Sequence, residues 1–376
     1  MATEFNICFA KIGETLAGKI KQNQQVQFKE EENEQRIHLE PTNLKEITTK
    51  IHELKNNAAP GIDKVTKQDI LLLIDIIGPT FVRLTNIILE TGQYPEELKS
   101  AKIIPIYKKG AHDDINNYRP ISLLSTISKV LEKIIKTRLV TFIETTFNFD
   151  NKQYGFKKKN STLGATVDLM EYVASELNTK RYVIAVFIDL QKAFDTVNIN
   201  FLLRKLYKMG FQGTCYNLLK TYSKGRRHYT VVNGEKSEEE KVRTGVAQGS
   251  VLGPLLYLMY VHSLKCAELE AKYFKFADDT VLVYSGESEI QLEETVNRDL
   301  KLYFDWLYYN KLSLNVQKTV FMVIRHKGGP PCNPQIKIND SNIKRVTEYK
   351  YLGLTIADNL SWDKHIESVT NKIVPM

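Results

Sequence analysis

Cysteine is scarce. The four residues (Cys8, Cys215, Cys266, Cys332) are scattered through 376, with no CxxC pair and no His at zinc-ligand spacing. A disulfide scaffold and a structural zinc site are therefore not expected, and the thiols read as the reduced thiols of an intracellular protein. Long apolar runs are missing too. None reaches the roughly 18 residues of a membrane span; the longest candidate, 70–77, is interrupted by Asp75. The first residues lack the basic and apolar regions of a signal peptide, so no membrane partner is expected. No internal repeat is visible. With 43% hydrophobic and 26% charged residues, the composition excludes a largely disordered or collagen-like chain. Its length calls for two or three packed lobes.

What is present is unevenly placed. The net charge is +8, and residues 99–160 alone carry thirteen Lys and Arg against five acids. The whole cationic excess thus sits in one segment, the electrostatic footprint expected of a phosphate-rich partner. Phe5, Phe9, Ile12, Leu16 and Ile20 recur at steps of three and four, an amphipathic helix. A polar stretch, 21–40, reads as a solvated linker. Helices are expected over 44–54, 68–89 (buried), 128–142, 162–177, 200–208, 215–223, 249–262 and 290–307, with an unfinished pattern after Trp362. Strands are expected at 101–107, with Pro105 marking an edge or bend, and at 181–188. The latter is continuously apolar, as a strand covered on both faces would be. A hairpin follows, 228–232, turning at Asn233-Gly234 and returning to Arg243. Further short strands are expected at 272–276, 280–284, 320–324 and 349–356. Helices and strands mix without strict alternation, which points to an α+β fold.

Two places put carboxylates where structure alone does not ask for them. Asp189 ends the buried strand, and Asp278-Asp279 occupy the tip of a short apolar hairpin. Separately, each has an ordinary explanation: Asp favours turns, and Asp189 could cap the next segment. Jointly they say more. Adjacent like charges beside buried strands are costly unless a cation neutralises them. Three carboxylates at two strand ends could hold two hard divalent ions such as Mg²⁺ for phosphoryl or nucleotidyl transfer.

An ordered series of blocks then resembles the reverse transcriptases of non-LTR retrotransposons, particularly the jockey-like elements of insects, over roughly 45–357. The blocks are Asn57-Ala-Ala-Pro-Gly-Ile-Asp63, Ile103-Ile-Pro-Ile-Tyr-Lys-Lys109, Asn117-Tyr-Arg-Pro-Ile-Ser-Leu-Leu124 and Gln153-Tyr-Gly-Phe156. They continue with Phe187-Ile-Asp-Leu-Gln-Lys-Ala-Phe-Asp195, Gly245-Val-Ala-Gln-Gly-Ser-Val-Leu-Gly-Pro254, Phe276-Ala-Asp-Asp279, Leu312-Ser-Leu-Asn-Val-Gln-Lys318 and Tyr351-Leu-Gly353. An Ala-Asp-Asp tripeptide alone is weak; the full order of blocks is specific.

The resemblance implies a right-hand polymerase fold with fingers and palm, and an RNA-directed DNA polymerase extending a primer 3′-hydroxyl with deoxynucleoside triphosphates. Its partners would be an RNA template and a DNA primer. Asp189, Asp278 and Asp279 would hold two Mg²⁺ ions, with Mn²⁺ as a substitute, and Leu190 would add a backbone carbonyl. Phe194 would be the steric gate against a ribose 2′-hydroxyl. Lys108 or Lys109, together with Arg119, would grip the triphosphate. Gln248 and Gly249 would approach the base pair and nucleotide, and Lys318 would protonate the leaving pyrophosphate. Asp195 is left out of the metal site, as a local cap or pairing partner.

The implied organisation is an N-terminal helix and polar linker (1–44), fingers and palm (45–357) and a truncated start of the thumb (358–376). A preceding endonuclease and a full thumb are not expected in a chain of this extent, which resembles a fragment of an element's reading frame. Two further readings stay open: a catalytically silent remnant that at most binds nucleic acid, and a maturase-like polymerase, which would need a C-terminal domain for which there is no room.

Overall fold

The computed structural model describes residues 1–18, 28, 32–146, 152–156, 160–325, 332–338 and 341–373, the side chains of Lys265 and Cys266 excepted. Ile20, Lys157 to Lys159 and much of the polar stretch thus lie outside the described residues. Helices α1 (Ala2–Gly18), α2 (Leu44–His52) and α3 (Lys67–Thr91) open the chain, followed by strands β1 (Ser100–Tyr107) and β2 (Tyr118–Leu123). Next come α4 (Thr126–Thr146), α5 (Thr162–Asn178), β3 (Tyr182–Ile188), α6 (Ile199–Lys208) and α7 (Gly213–Ser223). Strands β4 (Arg227–Val232), β5 (Glu235–Lys236) and β6 (Glu240–Lys241) precede α8 (Gly253–Val261), β7 (Lys272–Phe276), β8 (Asp279–Gly286) and α9 (Glu289–Tyr309). The chain closes with β9 (Val320–Ile324), β10 (Lys337–Ile338), β11 (Ser341–Asn342), β12 (Lys344–Arg345), β13 (Glu348–Tyr351), β14 (Leu354–Ala357) and α10 (Asp363–Ile373). Helix and sheet are mixed, as the α+β expectation has it.

Two compact units form from discontinuous stretches. The described residues of 1–21, 29–149 and 192–263 make one, those of 22–28, 150–191 and 264–376 the other. This division does not follow the boundaries expected from sequence. Helix α1 packs against the first unit's sheet. Its Phe5 and Phe9 are buried with Ala101, Ile103 and Leu124.

In the first unit, β2 and β1 pair antiparallel, β1 and β4 pair parallel, and β5 and β6 pair with β4. Pro105 stands opposite Pro120. Neither has an N–H to give, so the ladder can place them together only at a non-hydrogen-bonded pair. Strand β4 pairs with residues 100–103 only, which leaves Pro105 on an edge, as expected. The Asn233-Gly234 turn forms with both residues at positive φ (51° and 85°), the signature of a tight hairpin. The return strand is broken, however. Ser237 turns its hydroxyl to accept the Thr230 N–H at 3.0 Å and interrupts the ladder between β5 and β6.

Helix α3 starts on a capping box between Thr66 and Asp69 and ends on left-handed Gly92. It is not the buried helix its apolar content suggests. Ile70, Phe81, Ile88 and Leu89 are buried, but Leu72 is 83% and Ile76 77% exposed. One window of α3 reaches a mean hydropathy of 1.7, long and apolar enough in length and composition to cross a membrane.

The second unit is built on a five-stranded sheet ordered β12-β9-β3-β8-β7. Strand β3 lies at its centre, antiparallel to both β8 and β9, and Val183 to Ile188 are buried throughout. That is the continuous apolar run read from sequence. One face packs Val183, Ala185, Phe187, Val281 and Val283 against Leu169 and Val173 of α5. The 349–356 stretch is a hairpin rather than one strand: β13 and β14 join through Leu352 and Gly353, both at positive φ.

Candidate active site

In the second unit, sheet register decides where the acids go. Ile188 pairs with Thr280, so the next residue along each strand brings Asp189 opposite Asp279 at one end of the sheet. Side chains alternate along a strand. Asp189 follows Val183, Ala185 and Phe187, and Asp279 precedes Val281 and Val283, so both acids project on the α5-packed face. Asp278 lies in the turn, after Ala277, which takes a left-handed φ of 60°. Tyr349 reports the shared address: its ring stacks on Phe187 at 4.0 Å. Burial, then the charges of Asp279 and Asp189, push its hydroxyl pKa up. Tyr351 is pushed up by burial first and Asp279 second.

The Asp189 backbone is anchored from the segment before β9. Its N–H donates to the Thr319 hydroxyl at 3.3 Å, and its carbonyl accepts the Asn315 N–H at 2.8 Å. Leu190 bridges Leu314. The ladder bonds flanking that bridge use the carbonyls of Asp189 and Ser313, not that of Leu190. Lys318 is exposed in the same turn, its N–H donating to the Asn315 carbonyl at 3.1 Å. Asp189, Leu190 and Lys318 are thereby brought to one strand end.

Carboxylate oxygens are the donors a hard divalent cation takes. Among the described residues no three His, Cys, Asp or Glu side chains stand gathered as a ready-made metal group. Asp279 is exposed and Asp189 and Asp278 are half-buried. Backbone register brings Asp189 and Asp279 to one strand end, with Asp278 in the adjoining turn.

In the first unit, the turn at 192–197 and the loop at 245–250 are laced together. Gly245 N–H donates to the Val197 carbonyl at 2.8 Å and Val246 N–H to that of Phe194 at 2.9 Å. Gln248 Nε2 donates to both carboxylate oxygens of Asp195, at 2.9 and 3.0 Å. Burial of that carboxyl pushes its pKa up to about 6, against the lowering effects of Gln248 and Lys192, although the residue keeps some exposed surface. The Gln248 carbonyl accepts the Ser122 N–H of β2 at 2.7 Å. Gly249 sits so close to β2 that a Cβ there would lie 2.5 Å from the Ser122 carbonyl, which is why this position has no side chain. Phe194 stacks on Tyr257 at 4.6 Å.

Lys108, Lys109 and Arg119 are exposed at the far part of the β1–β2 hairpin; Arg119 lies roughly 10 Å of strand from Ser122 at 3.4 Å per residue, and the two lysines lie beyond it. Lys192 Nζ ties that hairpin down, donating to the Asn116 and Tyr118 carbonyls at 3.1 and 3.0 Å. The cationic segment is less available than its composition suggests. Lys99 pairs with Glu96, Lys133 with Glu53 and Arg138 with Glu46, so at least three of its thirteen cations hold the fold together.

Sequence reasoning assigned no role to Gln153, Lys192, Asn315 or Thr319. Each works through backbone contacts to a functional segment, which leave no spacing signature. Gln153, Lys192 and Asn315 lie inside the blocks quoted above, which was the available signal; Thr319 lies just outside one of them.

Residues 106–356 match the family described as reverse transcriptase (RNA-dependent DNA polymerase). That is well over half of the chain, and the chain belongs to this family; its mixed helices and sheets are those of a polymerase fold. Among particular relatives, it is similar to the probable RNA-directed DNA polymerase from transposon BS of Drosophila melanogaster, 30% identical over 89% of this chain and 38% of that protein. It is similar also to the RNA-directed DNA polymerase from mobile element jockey of the same fly, 29% identical over 89% of this chain and 37% of that one. The probable RNA-directed DNA polymerase from transposon X-element aligns at 27% over 94% and 40%. The chain thus spans at most two fifths of these relatives' length.

Proposed function

We propose that this chain is the polymerising part of a non-LTR retrotransposon reverse transcriptase. It extends a DNA primer on an RNA template with deoxynucleoside triphosphates. The β3–β8 register carries the reading, because it brings Asp189 and Asp279 to one sheet end and one face, with Asp278 in the adjoining turn. In the right-hand description of polymerases, the sheet containing β3 and β8 is the palm and the β1–β2 hairpin belongs to the fingers.

Asp189, Asp278 and Asp279 would hold Mg²⁺, or Mn²⁺ in its place, with the Leu190 carbonyl as a further oxygen donor. Bound there, the ions supply Lewis acidity that lowers the pKa of the primer 3′-hydroxyl and stabilises charge on the pyrophosphate. The chain's own groups do the rest. Arg119 and one of Lys108 and Lys109 neutralise triphosphate oxygens, Arg with a planar fork and Lys as a point charge. Phe194, held flat against Tyr257, excludes a 2′-hydroxyl. Gln248 approaches the nascent base pair, its Nε2 engaged by Asp195 and its Oε1 turned away from that carboxylate. Lys318 gives a proton to pyrophosphate.

Primer extension on RNA and DNA templates with Mg²⁺ tests the reading. Template-dependent synthesis is expected from the parent chain. The Asp278→Asn, Asp279→Asn double variant should fall by at least about a thousandfold if charge stabilisation at the reacting phosphate is lost. Nucleic-acid binding without any extension by the parent would favour the silent remnant instead.

A further inference from the structure

Residues 152–155 form a strap along β7 that ends on the turn carrying Asp278 and Asp279. Lys275 N–H donates to the Lys152 carbonyl and Tyr154 N–H to the Lys275 carbonyl, both at 2.8 Å, making a parallel bridge at Gln153 and Lys275. Gln153 is 2% exposed. Its Oε1 accepts two backbone N–H groups, that of Gly155 at 3.0 Å and that of Ala277 at 3.1 Å. Gly155 seats the turn from the same side: a Cβ there would lie 2.4 Å from the Ala277 nitrogen. Ala277 is a non-glycine residue in the left-handed region, a conformation that persists only where the surroundings over-determine it.

A second observation sets Gln153 apart from an ordinary core amide. With Oε1 engaged twice, Nε2 is buried with no hydrogen-bond partner among the described residues. Turning the amide over would aim an NH₂ at two N–H donors, so the orientation is fixed by the acceptor it must present. A core needing only to be filled would be better served there by Met or Leu.

We propose that Gln153 is a positioning residue for divalent metal binding, its side-chain carbonyl holding Ala277 left-handed so that Asp278 and Asp279 emerge from the turn toward Asp189. This deepens the polymerase reading and rests on its assignment of the three aspartates. Residues that orient metal ligands typically change affinity ten- to a hundredfold when lost, and that is the size of effect expected.

The test compares Gln153→Met, which keeps shape and removes the acceptor, with Gln153→Glu, which keeps an acceptor and removes the orphan NH₂. Mn²⁺ binding to each chain is measured by electron paramagnetic resonance, with circular dichroism melts alongside. The Met variant should bind Mn²⁺ about tenfold or more weakly and need correspondingly more Mg²⁺ for half-maximal primer extension. The Glu variant should stay within about threefold of the parent. Unchanged Mn²⁺ affinity in a folded Met variant would reduce Gln153 to a structural residue, and a parent that binds no Mn²⁺ would overturn the proposal as well. Should the Met variant not fold, Gln153→Asn, whose shorter arm cannot span both donors, is read by the same two outcomes. A parent that binds Mn²⁺ but extends no primer would remove the polymerase reading while leaving the Gln153 comparison intact.

Discussion

Asp195 shows how differently two carboxylates of one block can be placed. It stands six residues after Asp189 in the same block, and its two carboxylate oxygens accept from the Gln248 amide nitrogen. Its folded pKa, about 6, lies above the ordinary carboxylate value of 3.8. The folded state therefore holds a proton that the unfolded chain releases between those values. Stability from this group is fully present below about pH 4 and is lost as pH rises through about 6, on the order of 3 kcal/mol at 1.36 kcal/mol per unit. Urea unfolding at pH 4, 6 and 7.5 should show that loss in the parent and not in Asp195→Asn, the difference between the two chains cancelling the other carboxylates. Phe194 makes a second prediction at this scale. Its ring is stacked on Tyr257, so replacement by Val opens space without moving the backbone bonds at 194 and 246. Incorporation of ribonucleotides by Phe194→Val should rise roughly tenfold or more relative to the parent; unchanged sugar selectivity would take Phe194 out of the site.

Elements differ in how plainly their sequence announces them. Strand β3 was legible because seven apolar residues in a row have no other comfortable home than the middle of a sheet, and Asp189 was legible as the charge that ends it. The Asn233-Gly234 turn was legible from its positive-φ residues. Helix α3 was only half legible: apolar content cannot say which side meets a neighbour, and Leu72 and Ile76 face outward. The start of α8 was misplaced by four residues, 249 against 253. What fixes that start is remote. The buried carboxylate of Glu132 in α4 accepts the N–H groups of Val251 and Leu252 at 2.7 and 3.0 Å, a cap brought from about 120 residues away that no local pattern reveals. Stranding two buried amides costs about 1–3 kcal/mol each. Glu132→Leu should accordingly lose about 3 kcal/mol or more in urea unfolding, and Glu132→Gln, which keeps one acceptor oxygen, clearly less. Equal losses in the two variants would mean that the cap contributes little.

Across the molecule, a net charge of +8 is concentrated in 99–160, and at least Lys99, Lys133 and Arg138 of that segment are engaged in ion pairs. Binding of an RNA–DNA primer-template should weaken with salt in proportion to the phosphates neutralised. Replacing Lys108 and Lys109 together by Ala should lower the slope of log affinity against log salt by roughly 1.5 to 2. Replacing Lys133, which pairs with Glu53 at 2.9 Å, should leave the slope unchanged and reduce stability instead. A slope equally sensitive to both changes would mean that the positive segment acts as a diffuse cloud.

The order in which the polypeptide is made has its own bearing on the central strand. Residues 182–188 are made before either flanking neighbour is complete, at 286 and at 324. Both edges of this apolar ribbon are unpaired until the first is finished and one edge until the second, an interval in which unpaired strand edges are prone to aggregation.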